Sequence, residues 1–147
     1  MVKVFLDAGV LIGAFKGERD VREPAFAILD CPLIEFWYSA LLRLEVTLQA
    51  THHKQVEELR FYNEYFRRAE MYGDLNRTLE IAEPDAKRHG IGVVDALHVA
   101  AANLSNCVAL ITTEKPTKPL FRTKLVKVLT LQVGHKGHQT VRQLTGA

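Results

Sequence analysis

The sequence predicts an α/β fold, a three-layer α/β/α sandwich with a mostly parallel central sheet. Two observations predict it. Short apolar segments typical of strands alternate with longer segments of helical periodicity, and strands joined through helices pair in parallel. Acidic residues follow several of these segments, and open α/β sheets bind ligands at the carboxyl ends of their strands. We expect one domain over residues 1–133 and a loose polar tail over residues 134–147.

The first half of the chain begins with a strand that ends at an acid. The strand Val2–Leu6 precedes Asp7, and Gly9 favours a tight turn immediately afterwards. Pro24 suits the first turn of a short helix, because that position needs no backbone N–H. The elements expected next are the strand Ile34–Tyr38, the helix Ala40–His53 with Ser39 as its N-cap, and the amphipathic helix Gln55–Tyr72, which stops at Gly73.

The second half is expected to add one buried helix and two strands. Val94–Leu104 is almost wholly apolar, as expected of a helix that is buried on most sides. Val108–Thr112 and Leu125–Leu131 have the composition of strands. Before them, Pro84–His89 predicts one or two helical turns, and Thr78–Ile81 fits either a short strand or part of a loop.

The composition is that of an ordinary globular domain, with 48% hydrophobic and 24% charged residues among 147. No apolar run approaches the ~20 residues that cross a bilayer, and the start of the chain lacks the apolar region of a signal peptide. Cys31 and Cys107 do not have the spacing of a metal site. We therefore expect a cytoplasmic protein with reduced thiols and no membrane partner.

Charge is distributed unevenly along the chain. The first 114 residues contain 17 acidic and 12 basic residues, a net charge of −5, whereas the last 33 contain seven basic residues and no acid. The seven are Lys115, Lys118, Arg122, Lys124, Lys127, Lys136 and Arg142. A basic end beside an acidic body is typical of a protein that binds a polyanion, although a solubilising surface gives the same pattern.

Four acids are expected to meet at the carboxyl edge of the sheet. They are Asp7 and Glu114 after strands, Glu45 within a leucine-rich helix, and Asp95 in the first turn of the apolar helix. Clustered carboxylates repel one another, and a hard divalent cation relieves that repulsion at neutral pH. Oxygen ligands favour Mg²⁺ or Mn²⁺ over Zn²⁺, and such a site suits phosphate chemistry.

Four of the candidate residues also have an ordinary structural explanation. Glu45 could reach water from the edge of its leucine stripe. Asp95 could stabilise the start of its helix through the helix dipole, and Glu114 could be a simple loop acid. His98, three residues after Asp95, could hydrogen-bond to that acid or to a substrate, or it could be a histidine of the core.

The segments that contain these acids resemble the PIN-domain family of metal-dependent ribonucleases, which includes VapC-type toxins. The resemblance extends from Val2 to about Leu129. Its strongest pieces are Phe5-Leu6-Asp7 with Val10-Leu11-Ile12, and Val94-Asp95-Ala96-Leu97-His98-Val99-Ala100-Ala101; Ser39-Ala40-Leu41-Leu42-Arg43-Leu44-Glu45-Val46 and Leu110-Ile111-Thr112-Thr113-Glu114 also fit. Four segments in the right order and at the right intervals are difficult to attribute to chance.

The resemblance implies a site and a reaction. Asp7, Glu45 and Asp95 correspond to the core acidic triad of the family, and Glu114 to its fourth acid. These residues would hold one or two Mg²⁺ or Mn²⁺ ions, which activate water for RNA hydrolysis to 5′-phosphate and 3′-hydroxyl ends. The basic residues that follow the fourth acid would hold RNA phosphates. They are Lys115, Lys118, Arg122 and Lys124, and accessory roles are expected for Thr112, Thr113 and His98.

The resemblance also implies protein partners. It suggests the toxin of a toxin–antitoxin pair, with a small antitoxin inserted near the acidic groove. The two central amphipathic helices contain more aromatic residues than one small core needs, and aromatic residues are favoured at interfaces. These residues are Phe61, Tyr62, Tyr65, Phe66 and Tyr72. Together with the resemblance, they favour a homodimer.

Two departures from the family pattern leave an alternative function open. The family usually has a hydroxyl residue and then a polar residue after the first acid, where this sequence has Ala8 and Gly9. Glu114 is one methylene longer than the usual aspartate. The alternative hypothesis is therefore a catalytically impaired RNA-binding or protein-interaction module on the same fold. A phosphatase with an aspartyl intermediate is disfavoured, because that chemistry usually needs a second aspartate where Gly9 stands.

Overall fold

The computed structural model describes residues 1–132 and 137–146, with only the backbone at 137 and 138. Within these residues, five strands form one sheet in the order β3-β2-β1-β4-β5, and every neighbouring pair is parallel. The strands are β1 (Val2–Leu6), β2 (Ile34–Ser39), β3 (Glu70–Tyr72), β4 (Ala109–Thr112) and β5 (Lys127–Thr130). The predicted α/β class is confirmed.

Helices cover both faces of the sheet. Val4, Phe5 and Leu6 of the central strand β1 have no exposed surface, and successive strand residues point to opposite faces. The helices are α1 (Ala8–Lys16), α2 (Arg19–Leu29), α3 (Ala40–His52), α4 (Val56–Arg68), α5 (Leu75–His89), α6 (Val93–Leu104) and α7 (Gly137–Thr145), with a 3₁₀ helix at Pro119–Arg122. In the described part of the chain, no helix has the length and apolarity to cross a membrane.

The chain enters α1 directly after β1, which corrects the expected turn at Gly9. Asp7 is the N-cap of this helix, and Val10, Leu11 and Ala14 form its buried side. Gly9 and Gly13 both lie inside this helix, and glycine has a low helix propensity, so the sequence alone favours a turn here. Its position matters for the site, because it places the first peptide N–H groups of α1 beside Asp7.

The predicted helix Gln55–Tyr72 is wrong at its end. The structure ends α4 at Arg68 and uses Glu70–Tyr72 as β3, which pairs in parallel with the end of β2. Ala69 between them is extended, with φ −96° and ψ 160°. A three-residue edge strand has no periodicity of its own, so only its pairing with Trp37–Ser39 reveals it.

The predicted break between residues 75 and 89 is also wrong. One continuous helix, α5, replaces the short strand or loop at Thr78–Ile81 and the separate turns at Pro84–His89. Asp74 caps its start by accepting from the N–H of Arg77 at 3.0 Å, and Gly90 ends it in the left-handed region at φ 69°. Pro24 likewise lies inside α2 rather than in its first turn, because α2 begins at Arg19.

The end of the chain differs from the loose tail expected over residues 134–147. Residues 133–136 and 147 lie outside the described part, but Gly137–Thr145 form the helix α7. This helix packs beside α2, with Val141 and Leu144 against the hydrophobic core. Partial burial of these two apolar side chains favours a helical conformation in this otherwise polar segment.

The aromatic residues of α4 belong to the core, which removes the surface on which the homodimer was argued. Tyr62, Tyr65 and Phe66 are buried, and Phe61 is half-buried against Phe15. Tyr62 also donates a hydrogen bond to the buried Glu58, whose carboxylate pairs with Lys16 of α1 at 3.3 Å. The aromatic side chains of α4 therefore pack this helix against the rest of the molecule.

Candidate active site at the carboxyl edge of the sheet

Asp7 is held at the end of β1 by the start of α1 and by the neighbouring strand β4. Its Oδ1 accepts a hydrogen bond from the backbone N–H of Val10 at 3.3 Å. Its Oδ2 accepts a short hydrogen bond from the hydroxyl of Thr112, the last residue of β4. The backbone N–H of Asp7 donates to the carbonyl of Ile111 at 3.0 Å. Two strands and one helix therefore fix this carboxyl group.

Burial raises the pKa of Asp7 to about 6. The residue is 8% exposed, and removal from water disfavours its charged form. The hydrogen bond from Thr112, the nearby His98 and the N–H of Val10 lower the pKa, but together they do not offset the burial. An ionised Asp7 at this position therefore lacks sufficient compensation, which a bound cation would supply.

Asp95 lies in the first turn of α6, half-buried and close to the other acids. Burial is the main cause of its raised pKa; His98 lowers the pKa, and the carboxylates of Glu114 and Glu45 raise it further. Asp95 in turn raises the pKa of Asp7. These interactions show that the four acids predicted from the sequence lie at one edge of the sheet, within electrostatic range of Asp95.

Glu45 on α3 meets His98 on α6 across this edge. The Nε2 of His98 donates to the Oε1 of Glu45 at 2.9 Å. The histidine side chain is 3% exposed and lies 5.6 Å from the ring of Phe5, whereas the glutamate side chain is 37% exposed. The Nδ1 of His98 is buried, without a hydrogen-bond partner among the described residues. His98 is thus both a core residue and a direct partner of a candidate acid.

Glu114 follows β4 and is positioned through its backbone. Its N–H donates to the hydroxyl oxygen of Thr112 at 3.0 Å, and its carbonyl accepts from the hydroxyl of Thr130 at 2.6 Å. The hydroxyl of Thr112 therefore links Asp7 to Glu114. The sequence suggested only an accessory role for Thr112, because its contact with Asp7 depends on the pairing of β1 with β4.

The donor set suits a hard divalent cation. All four acids offer oxygen, and a cation would relieve the repulsion that they exert on Asp95. Over residues 1–132 and 137–146, however, no three His, Cys, Asp or Glu side chains are close enough to enclose a metal ion. Glu45, for example, is engaged with His98. The residues fit the ion by the chemistry of their oxygen atoms, and their side chains would have to converge to bind it.

The predicted basic residues extend from this edge along the chain between β4 and β5. All four are exposed, and Lys118 is close enough to Asp95 to lower its pKa. Arg122 donates to the carbonyl of His89, at the end of α5, at 3.1 Å. The next residue, Thr123, donates to the half-buried Asp85 of α5 at 2.8 Å. Of the set Lys115, Lys118, Arg122 and Lys124, the structure brings Lys118 within electrostatic range of an acid.

The chain is similar in sequence to one protein family and in fold to several solved structures. A family model described as the PIN domain matches residues 4–115. No curated protein sequence matches the chain. Among solved structures, a chain of the DNA-bound VapBC2 complex from Rickettsia felis is similar, with 16% identity and a TM-score of 0.66; the match covers 88% of this chain and 98% of that one.

Two further solved structures have the same fold. A chain of a toxin–antitoxin complex from Klebsiella pneumoniae is 20% identical with a TM-score of 0.65, covering 87% of this chain and 97% of that one. A chain of the DNA-bound VapBC complex from Salmonella typhimurium is 16% identical with a TM-score of 0.62, covering 89% and 99%. At these identities the structural matches establish the fold, and the family model establishes the relationship.

Proposed function

The chain belongs to the PIN domain family, which is generally one of nucleases, and from this premise we propose that it is a Mg²⁺- or Mn²⁺-dependent endoribonuclease. Its structural neighbours are VapC-like chains of toxin–antitoxin complexes. The proposed active site is the acid cluster at the carboxyl edge of the sheet. Its members are Asp7, Glu45, Asp95 and Glu114.

One observation carries this proposal: Asp7 is a buried carboxyl group that is fixed in place beside a second acid. Its pKa is raised to about 6 by burial and by Asp95, so its ionised form is costly in the free protein. Burial of an ionised carboxyl group that its hydrogen bonds do not fully compensate costs stability, whereas functional sites regularly contain such a group. The raised pKa of Asp95, to which Glu114 and Glu45 contribute, supports the same interpretation.

In this proposal, each residue has a defined task. The four acids hold the metal, and Thr112 orients Asp7 while His98 orients Glu45. Lys118 and the basic residues around it attract RNA phosphates toward the acids. A bound metal would activate water for attack on the phosphodiester and stabilise the charge that develops on the phosphate. The expected products have 5′-phosphate and 3′-hydroxyl ends.

The proposal extends to partners and location. The neighbours were solved as toxin–antitoxin or VapBC complexes, and we propose that this chain is likewise a toxin that a small antitoxin inhibits. A homodimer is proposed on the apolar side chains exposed on α3 and α6 rather than on the aromatic residues of α4. They include Leu44, Leu48, Val93 and Val94. The unpaired Cys31 and Cys107 agree with action in the cytoplasm.

The test is RNA cleavage by the purified chain with the single substitution Asp95→Asn. We expect the wild type to cleave RNA in Mg²⁺ or Mn²⁺ and to lose this activity in EDTA. Asp95→Asn should abolish cleavage, because it removes a metal-binding oxygen charge. Asp30→Asn, the same change at an exposed position at the end of α2, is the matched control and should cleave normally. Undiminished cleavage by Asp95→Asn would remove this residue from the site.

A binding module without catalysis is the second candidate, favoured by the engagement of Glu45 with His98 and by the open arrangement of the acids. It predicts that RNA is retained but not cleaved in any divalent metal, with affinity that falls steeply as salt increases. Measuring RNA binding and cleavage on the same preparation separates the two functions. Cleavage that depends on Mn²⁺ and on Asp95 would exclude the binding module.

A further inference from the structure

Gly9, two residues after Asp7, lies against the side chain of Thr113. A Cβ placed on Gly9 would overlap the Oγ1 of Thr113, while it would be in ordinary contact with the Cβ of Thr113 at 3.5 Å. The same Cβ would lie 3.4 Å from the Oδ1 of Asp7. A side chain at residue 9 and the hydroxyl of Thr113 therefore compete for one position beside the carboxyl group of Asp7.

Thr113 is a hydroxyl residue at this edge of the sheet, and its hydroxyl is available for a ligand. It is half-buried between Thr112 and Glu114, and within the described residues its Oγ1 has no hydrogen-bond partner. Thr112 cannot serve in the same way, because its hydroxyl donates to Asp7 and accepts from the N–H of Glu114. Thr130 is likewise engaged with the carbonyl of Glu114.

We propose that Thr113 is a positioning residue of the acid site, and that its hydroxyl occupies the position beside Asp7 that a side chain at residue 9 would otherwise fill. The hydroxyl would hydrogen-bond to an oxygen held at the acid cluster, either a water on the divalent cation or a phosphate oxygen of RNA. This inference rests on the proposed function. It also gives Gly9 a role, because only glycine leaves room for that hydroxyl.

The first experiment compares Thr113→Val, which keeps the shape and removes the hydroxyl, with Thr113→Ser, which keeps the hydroxyl. Each is measured by Mn²⁺ titration without RNA, by RNA binding in Ca²⁺ and by cleavage in Mn²⁺. We expect Thr113→Val to lower kcat/KM at least about tenfold, as for loss of a hydrogen bond to a charged group, and Thr113→Ser to remain near the wild type.

The separate measurements distinguish the two oxygen ligands. If the hydroxyl contacts a metal-bound water, Thr113→Val should weaken Mn²⁺ binding in the absence of RNA. If it contacts a phosphate oxygen, Mn²⁺ binding should be unchanged, and RNA binding or cleavage alone should fall. Wild-type values of Thr113→Val in all three measurements would overturn the inference while leaving the proposed function intact. A wild type that does not bind Mn²⁺ would overturn both.

The second experiment tests the competition for space by a double-mutant cycle. Gly9→Ala should displace the hydroxyl and lower kcat/KM. In Thr113→Ala the space is free, so adding Gly9→Ala should cost little more, because the two Cβ atoms would be in ordinary contact. Additive losses of kcat/KM in the double variant would show that the two positions do not share one space and would overturn this part of the inference.

Discussion

Asp7 and Glu45 are two acids of one candidate site, but the fold holds them in different ways. Asp7 is 8% exposed, at the centre of the sheet, and is fixed by a backbone N–H and by Thr112. The side chain of Glu45 is 37% exposed, on a peripheral helix, and is held by His98. One half of the site is thus built rigidly at an electrostatic cost, and the other half depends on a single contact between side chains.

The difference indicates where the site can adjust. Convergence of the acids on the proposed cation would have to come mainly from side chains such as Glu45, because Asp7 is tied to two strands and a helix. Substitutions at Asp7 should therefore change stability and activity in opposite directions. Substitutions around Glu45 should change metal affinity while stability changes less.

The largest effect is expected from Asp7→Asn. Cleavage should fall below detection, because the substitution removes a carboxylate from the acid cluster. In metal-free buffer at pH 8 the variant should nevertheless be more stable. In the wild type, ionising Asp7 in the folded state costs about 3 kcal/mol, because burial raises its pKa from 3.8 to about 6. Asparagine avoids this cost, but its amide forms a poorer hydrogen bond, which lowers the gain in stability by about 1 kcal/mol. Urea unfolding and cleavage assays measure the two effects.

The sign of the pH dependence sharpens this test. The folded-state pKa of Asp7 exceeds its unfolded value, so between about pH 4 and pH 6 the folded state retains a proton that the unfolded state has lost. The contribution of Asp7 to the unfolding free energy of the metal-free wild type should therefore fall as pH rises through this range. The difference between wild type and Asp7→Asn isolates it. Parallel curves for the two proteins would contradict the raised pKa.

A smaller effect on activity is expected from Thr112→Val, which tests the rigid half of the site. The substitution removes the donor to Asp7 and the acceptor for the N–H of Glu114. We expect a loss of about 1–2 kcal/mol of stability and a further rise in the pKa of Asp7. Thr112→Ser, which keeps both hydrogen bonds, should be close to the wild type. Equal stability of the two variants would show that this hydroxyl does not organise the site.

His98→Phe tests the adjustable half. Phenylalanine retains packing against Phe5 but cannot donate to Glu45. Loss of such an orienting contact should weaken Mn²⁺ binding about tenfold, as measured by calorimetry, with a change in thermal stability smaller than that caused by Thr112→Val. A gain in Mn²⁺ affinity would mean that His98 competes with the metal for Glu45 rather than orienting it.

The smallest effect on function is expected from substitutions of the basic residues between β4 and β5. Lys118→Gln should weaken RNA binding several-fold at low salt and reduce the salt dependence of log K by about one unit. Lys127→Gln is the matched control, because Lys127 pairs with Ala109 at the opposite, amino end of the strands. Equal losses in the two variants would indicate general attraction rather than a contact near Asp95.

Much of the fold could be predicted because the strands and the apolar helix have strong patterns of their own. Asp7, Asp95 and Glu114 could be placed at one edge because each adjoins the end of a strand or the start of a helix. The elements that were missed have weak local signals. β3 exists through pairing with β2, and α5 continues through Pro84, which the sequence alone suggests as a break.

The contacts within the site were less predictable than its members. The bond from Thr112 to Asp7 joins residues 105 apart in the chain, and the bond from His98 to Glu45 joins residues 53 apart. Both depend on strand order and helix packing, which a single sequence does not specify at the level of atoms. The contact of Gly9 with Thr113 has the same origin, since it depends on the start of α1 lying beside the end of β4.

The attachment to α5 of the basic residues between β4 and β5 has a consequence for the thermodynamics of the proposed RNA binding. Arg122 and Thr123 hold the chain just after Lys118 to His89 and Asp85. Ordering a flexible backbone costs about 1–2 kcal/mol of conformational entropy per residue. For these residues that cost is included in folding and would not be added on binding RNA. RNA should therefore bind without coupled folding of these residues. The heat-capacity change of binding should be small, and the association rate should be governed by electrostatic attraction.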